Sequence, residues 1–238
     1  MQKIIIVGAT SGIGLELARL YVREGNLVGA TGRRQDLLSS LLLEFPDQIV
    51  TECWDVTDDR AGSHLETLIH RLGGLDLLIY NSGYGEVSKS LDWSIDKQTV
   101  DTNVNGFIHI ANYAFNYFLQ QGHGHLVTTS SIASIRGNGM APAYSASKAF
   151  QSVYFEGLHI KIKKMKAPIF VTDVEPGFVD TKMAKGPGVF WAAPPAKAAK
   201  QIAEAIKKKK WRVYITRRWR LIAWIMKWIP DFIYHRIG

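Results

Sequence analysis

A chain of 238 residues and 26.7 kDa, 47 % hydrophobic and 21 % charged, has length for one compact domain with a sizeable core, or two small ones, and its composition excludes disordered, collagen-like and low-complexity classes. The single cysteine, Cys53, excludes an intrachain disulfide framework and a multi-thiolate metal site; no metal centre is expected, and the residue reads as a buried strand position in a reducing compartment. The formal net charge of +8 is uneven: residues 207–238 carry ten Lys/Arg against one acid, Asp231, and the other 206 residues carry 19 against 20, so a near-neutral body bears a basic tail and a whole-protein nucleic-acid role loses force.

The first apolar run, Ile4–Val7, predicts a buried strand, and it stops at Gly8, too soon for a signal-peptide core. A helix is predicted over Gly14–Arg23, with Leu15, Leu17, Ala18, Leu20 and Tyr21 at helical spacing. A strand at Leu27–Thr31, a helix at Gln35–Glu44, a strand at Ile49–Trp54 and a helix at Arg60–Leu72 come next. After a strand at Leu75–Tyr80, two helical stretches lie near Ser94–Thr102 and Phe107–Gln121. The pattern closes with a strand at His125–Ser130, a long helix at Tyr144–Lys164, a strand at Pro168–Val174, a helix at Ala196–Lys207 and a short strand at Trp211–Ile215. This alternation predicts a doubly wound α/β fold: one domain, a seven-stranded parallel sheet between two helical layers, with ligands at the carboxyl ends of the strands. Residues 1–215 are expected to form the domain and 216–238 an extension. No stretch approaches the roughly 20 apolar residues of a bilayer span, so a cytoplasmic location is expected unless the tail holds the protein to a surface.

Between the first strand and first helix stands Gly8-Ala9-Thr10-Ser11-Gly12-Ile13-Gly14. Gly8 permits a tight turn, Gly12 lets backbone approach a pyrophosphate, and Gly14 lets the helix pack close to the sheet, while the helix N-terminus offers free N–H groups to phosphates. The competing reading is a turn that merely needs small residues. At the end of the second strand, where an acid would bond a ribose 2′-OH, stand Arg33 and Arg34. Guanidinium groups favour a phosphate, which points to NADP(H) rather than NAD(H); the alternative is a solvated basic turn. Tyr144 and Lys148, four apart, share a helix face, and a neighbouring ammonium would lower the tyrosine pKa and make Tyr144 a general acid/base. Alone, that pair reads as a surface feature. Ser131, after the preceding strand, is placed to hydrogen-bond a substrate carbonyl.

Taken in order, these motifs resemble the short-chain dehydrogenase/reductase family, in its branch with a single Rossmann domain, from Lys3 to about Thr181. Gly8–Gly14 is similar to the cofactor loop, Asp55-Val56 to the pair at the adenine, and Asn81-Ser82-Gly83 to an Asn-Asn-Ala-Gly motif. Pro176-Gly177-Phe178-Val179-Asp180-Thr181 resembles the segment at the nicotinamide. The resemblance implies a catalytic set of Asn103, Ser131, Tyr144 and Lys148, with Asn103 linking Lys148 to solvent through water. It implies hydride transfer between nicotinamide and a carbonyl or alcohol carbon, and a homodimer or homotetramer built on the helices near 107–121 and 144–164; the alternative is a catalytically idle NADP(H)-binding module recruited to membranes by its basic tail, which the intact set of four argues against. Departures are Val7 in place of the usual threonine, the missing second Asn and Ala, and Tyr84 after Gly83.

Residues 182–195 correspond by the same resemblance to a substrate lid, with Gly186, Pro187 and Gly188 as a turn and Val189, Phe190 and Trp191 as an apolar face. Tyr84, Val87, Ile135, Met140 and Phe178 are candidates for the same pocket, or for ordinary core. Four of the seven tryptophans fall in the tail. Over 207–229, basic residues flank Trp219–Ile229, a pattern suited to a helix lying in an anionic lipid surface and a lipophilic substrate; packing on a subunit or over the pocket mouth is the alternative. Nucleic acid suits it less, because the aromatics are contiguous rather than spread over a stacking face.

Overall fold

The computed structural model describes residues 1–181 and 189–237. Seven strands are β1 (Lys3–Val7), β2 (Leu27–Gly32), β3 (Ile49–Cys53), β4 (Leu77–Tyr80), β5 (Gly124–Thr129), β6 (Ile169–Pro176) and β7 (Arg212–Ile215). They form one sheet in the order β3-β2-β1-β4-β5-β6-β7, every pair parallel. The strands are apolar on both faces because both are covered. Ile5, Val7, Leu78, Tyr80 and Leu126 pack under α3 (Ala61–Leu72), α5 (Phe107–Gln121) and α6 (Pro142–Met165). Ile4, Ile6, Val28, Ile79 and Val127 pack under α1 (Gly12–Arg23), α2 (Gln35–Glu44) and α7 (Pro195–Lys207).

The chain reverses its winding between β1 and β4, paired in register from Ile4↔Leu77 to Val7↔Tyr80. The carboxyl ends beside this point form the crevice where such sheets bind ligands.

Three expectations change. The helices read as separate at 94–102 and 107–121 are one run: α4 (Trp93–Val100), a π-helical turn at Asp101–Gly106, then α5. Gly106 permits the turn to press against β3's exit loop, since a methyl there would lie 2.6 Å from the Val56 carbonyl oxygen. Cys53 is exposed, not buried: β3 is the edge strand and Cys53 is its last residue. The tail forms two helices, α8 (Trp219–Trp228) and α9 (Asp231–Ile237), split at Pro230. Proline has no N–H to continue α8 but suits the start of α9.

Candidate active site

At the end of β1, Gly8 has φ 90° and its N–H donates to the Thr31 carbonyl at 2.9 Å. A side chain there would be strained and would strike the Ser82 backbone. Gly14 is wedged between the Gly8 carbonyl and the Asn81 amide, which donates to Gly8 O at 3.2 Å. Asn81 and Ser82 thus brace the glycine loop from the end of β4, while Gly83 lies against Lys148 and Asn103. Gly12 lies against the Thr181 methyl, so the loop and the strand-β6 exit meet across the crevice. Ile13 packs on the core beneath. Ser11 sits at the α1 N-cap but makes no side-chain cap bond, leaving first-turn N–H groups to a ligand. This cradle, too tight for side chains and rimmed by free N–H groups, fits a dinucleotide pyrophosphate.

Arg34 turns onto that loop, donating to Thr10 Oγ1 (2.5 and 3.1 Å) and Ser11 Oγ (2.7 Å). Arg33 Nη1 meets Asp55 Oδ2 at 3.1 Å. Burial works against the charge on Asp55, but the Thr57 N–H and hydroxyl and the Arg33 guanidinium outweigh it and hold the carboxyl below its usual range. Val56 is buried in the core, so it can offer a ligand only its backbone. Arg33, Asp55, Thr57, Gln98 and Thr102 border a groove of about 290 Å³ beside the loop.

The four residues implied as catalytic converge from different elements. Ser131 follows β5 and caps a short 3₁₀ turn, Ile132–Ser134, its Oγ accepting the Ala133 N–H at 3.1 Å. Tyr144 and Lys148 stand one turn apart on α6, which opens at Pro142. The Tyr144 ring lies on Gly85, where a methyl would overlap it. Asn103 is fully buried in the π-turn; its Nδ2 donates to Tyr84 O (2.7 Å) and Ser147 Oγ (2.9 Å), and its Oδ1 accepts the Tyr84 N–H (2.9 Å).

Lys148 Nζ donates to the Thr129 carbonyl (2.9 Å) and Gln151 Oε1 (3.0 Å), and Gln151 Nε2 donates to the Asn103 carbonyl (2.9 Å). The side chain of Gln151 therefore joins the Asn103 carbonyl to Lys148. Burial pulls the Lys148 pKa down to about 7, with Asp173 acting weakly in the other direction. Burial also pushes the Tyr144 phenol up, against a lowering hydrogen bond with Ser131. The expectation that Lys148 lowers the Tyr144 pKa is thus not met: the ammonium lies 5.8 Å from the ring centroid, and its bonds go to Thr129 and Gln151.

Behind Lys148, Asp173 and Glu175 of β6 share one cation, with Arg212 Nε 3.6 Å from Asp173 and 3.0 Å from Glu175. Ser130 and Ser152 donate to the two oxygens of Asp173. Burial pushes Glu175 up to about 7, and the neighbouring Asp173 carboxylate adds to it.

In the segment that the resemblance assigns to the nicotinamide, Pro176 ends β6 and the Gly177 N–H donates to Ile215 O at 2.7 Å. Val179 is core, bridged to Ala193. Phe178, Phe190 and Trp219 form one cluster with centroids 5.1–5.7 Å apart, joined by Trp191 at 5.6 Å from Phe190. Met140 borders a second cavity, of about 170 Å³, with Glu86 and Leu91, whereas Val87 is exposed. Of the lid, 182–188 lie outside the described residues.

Three parts of the site escaped the sequence. Gln151 is three residues beyond Lys148, hence on its face, and that spacing was its signal. Trp219 stacks so closely on Gly177 that a methyl there would fall inside the indole. Arg136, on the loop after Ser131, pairs with Asp231 at 2.6 Å and stacks on Tyr234, whose hydroxyl donates to Gly137 O at 2.7 Å. No local pattern announces those long-range contacts.

A family model described as short chain dehydrogenase matches residues 2–188. An uncharacterized oxidoreductase of Mycobacterium tuberculosis is 32 % identical over 225 residues, 90 % of this chain and 88 % of that protein. The fold matches a short chain dehydrogenase from Burkholderia cenocepacia solved with NADP (TM-score 0.85, 20 % identity, 99 % and 97 % of the two chains). It equally matches a short chain dehydrogenase/reductase from Burkholderia phymatum solved with NAD (TM-score 0.85, 17 % identity, 94 % and 92 %). Nearly four-fifths of the sequence falls under a single family description, and the strand order and crevice agree with it: the chain belongs to the short-chain dehydrogenases, oxidoreductases that bind a nicotinamide cofactor.

Proposed function

We propose that the protein is an NADP(H)-dependent carbonyl reductase or alcohol dehydrogenase acting on a lipophilic carbonyl or secondary alcohol. The observation that carries this reading is the convergence of Ser131, Tyr144, Lys148 and Asn103 beside the glycine cradle. A bound nicotinamide supplies or accepts the hydride. In the reductive direction Ser131 and Tyr144 donate hydrogen bonds to the substrate carbonyl, and Tyr144 gives its proton to the oxygen that becomes the alcohol. Its raised pKa keeps it protonated at neutral pH, the form a general acid needs. Lys148, fixed by Thr129 and Gln151 with its Nζ 5.8 Å from the Tyr144 ring centroid, would bond a cofactor ribose, as the family resemblance implies.

Arg34 and Arg33 support NADP(H): two guanidinium groups flank the loop where an NAD site would place an acid. The aromatic cluster around Phe178 supports an apolar substrate. Exposed Val153 and Ile160 on α6 support a homodimer across that helix. The reading is tested by fluorescence titration of the wild type and of Tyr144→Phe with NADPH and NADH, followed by turnover of apolar ketones and aldehydes. Tighter NADPH than NADH binding is expected in both proteins, with turnover lost only in the variant. Normal turnover by Tyr144→Phe removes the catalytic assignment, and NADH preference removes the arginine assignment.

A further inference from the structure

Helix α8 has two apolar faces. One, Trp219 and Ala223, is buried at 3 % and 1 % exposure, with Trp219 lying on Gly177 of the substrate side. The other, Leu221, Trp224, Ile225 and Trp228, follows the i, i+3, i+4, i+7 spacing of a single stripe and faces solvent. Trp224 is 61 % exposed and Trp228 74 %, and Phe232 on α9 adds another 68 %. A soluble surface rarely carries so much contiguous apolar area without a partner.

The charges around the stripe identify the partner. Arg217, Arg218 and Arg220 stand at the start of α8 and Lys227 near its end. Among the described residues, Arg220 has no carboxylate within ion-pair distance, exposed Lys227 leans over the Tyr214 ring at 6.0 Å, and Asp231, the tail's one acid, is held by Arg136. A second copy docked about a twofold axis would bring these cations onto themselves with no acid to receive them. An anionic bilayer surface offers both complements at once: acyl chains for the stripe, headgroup phosphates for the bases, and the interfacial layer that indole rings favour. Lys207–Lys210 do not share this face. They precede β7 at its amino end, whereas α8 follows its carboxyl end, so the expected patch over 207–229 contracts to 217–229 with α9.

We infer that α8 and α9 dock the protein on anionic membrane, with the mouth of the substrate pocket turned to the lipid. Trp219 on Gly177 and the Arg136–Asp231 and Tyr234–Gly137 clasp tie the docking helices to the walls of the site. The docking surface stands apart from the reductase reading; only the consequence, that substrate arrives from the bilayer, rests on it.

The test is co-sedimentation of the full-length protein with vesicles of phosphatidylcholine and of equimolar phosphatidylcholine and phosphatidylglycerol, at low and high salt. Sedimentation with the mixed vesicles at low salt, but not with the neutral ones, is expected. Arg220→Gln and Lys227→Gln should each weaken partitioning about fivefold. Trp224→Ser with Trp228→Ser should abolish it, while an unchanged circular dichroism spectrum and melting temperature report the fold intact. The inference is overturned if wild type stays in the supernatant or if the tryptophan variant sediments as wild type does. It is equally overturned if that variant halves the solution mass while wild type ignores vesicles, which makes the stripe a subunit interface. Retention on an oligonucleotide that mixed vesicles do not displace overturns it in favour of nucleic acid.

Discussion

Lys148 and Glu175 titrate in the same narrow range for opposite reasons. Burial lowers the lysine to about 7, so between that value and its ordinary one near 10.5 the unfolded chain holds a proton that the folded chain has lost. Stability contributed through Lys148 therefore rises with pH across that window, by up to about 1.4 kcal/mol per pH unit. Glu175, raised to about 7 from about 4.5, keeps a proton that the unfolded chain releases, so its contribution falls as pH climbs toward 7. The pair thus costs most near neutrality. Thermal unfolding from pH 5 to 9 should show wild type losing ground to Glu175→Gln on the acid side and gaining on Lys148→Met on the alkaline side. Parallel curves for all three proteins would show that neither group is perturbed. Gln151 belongs to this scale also. Its spacing from Lys148 places it on the same helix face, but the buried carbonyl it joins to the ammonium comes from the fold.

The π-turn Asp101–Gly106 is the element on which the site depends most. It widens the helical run by one residue and turns Asn103 inward, and the Tyr80 hydroxyl donates to Thr102 O at 2.6 Å to fix its depth. Gly106→Ala must shift either the turn or the Val56 backbone. We expect a loss of about 1–3 kcal/mol in stability and a fall in kcat larger than any change in KM. Unchanged kcat with lowered Tm would confine the turn to a structural role. Sequence periodicity foresaw helices on both sides and missed the continuity, because a π-turn breaks the 3.6-residue pattern that marks a helix. Boundaries elsewhere moved by one or two residues, as frayed ends do.

At the scale of the whole molecule, the alternation of apolar runs made the doubly wound sheet legible, since each strand is buried on both faces by helices that the same pattern announces. The glycine loop, Ser131, Tyr144 and Lys148 stood out in the sequence only as an ordered set resembling a known family, since singly they read as a small-residue turn and a surface pair. The tail was not legible. Whether Trp219 meets a core or a lipid depends on Gly177, 42 positions away, and whether Trp224 does depends on a partner outside the chain. No helix among the described residues is long and apolar enough to cross a membrane, so the docking inferred for α8 and α9 would be a surface contact.

The exposed edge position of Cys53 makes it a natural reporter. It is the chain's one thiol, it faces solvent, and it stands two residues before Asp55, the carboxylate that Arg33 clamps beside the groove proposed to take the nucleotide. An environment-sensitive dye attached there would sense the Arg33–Asp55 pair rearranging around a 2′-phosphate. NADPH should change its emission more than NADH does, in wild type and Tyr144→Phe alike, and Arg33→Ala should erase the difference. Equal responses to the two nucleotides would show that the pair ignores the phosphate. The same feature that leaves a lone sulfur open to oxidants thus gives a single-site readout of occupancy that needs neither a substrate nor a second label.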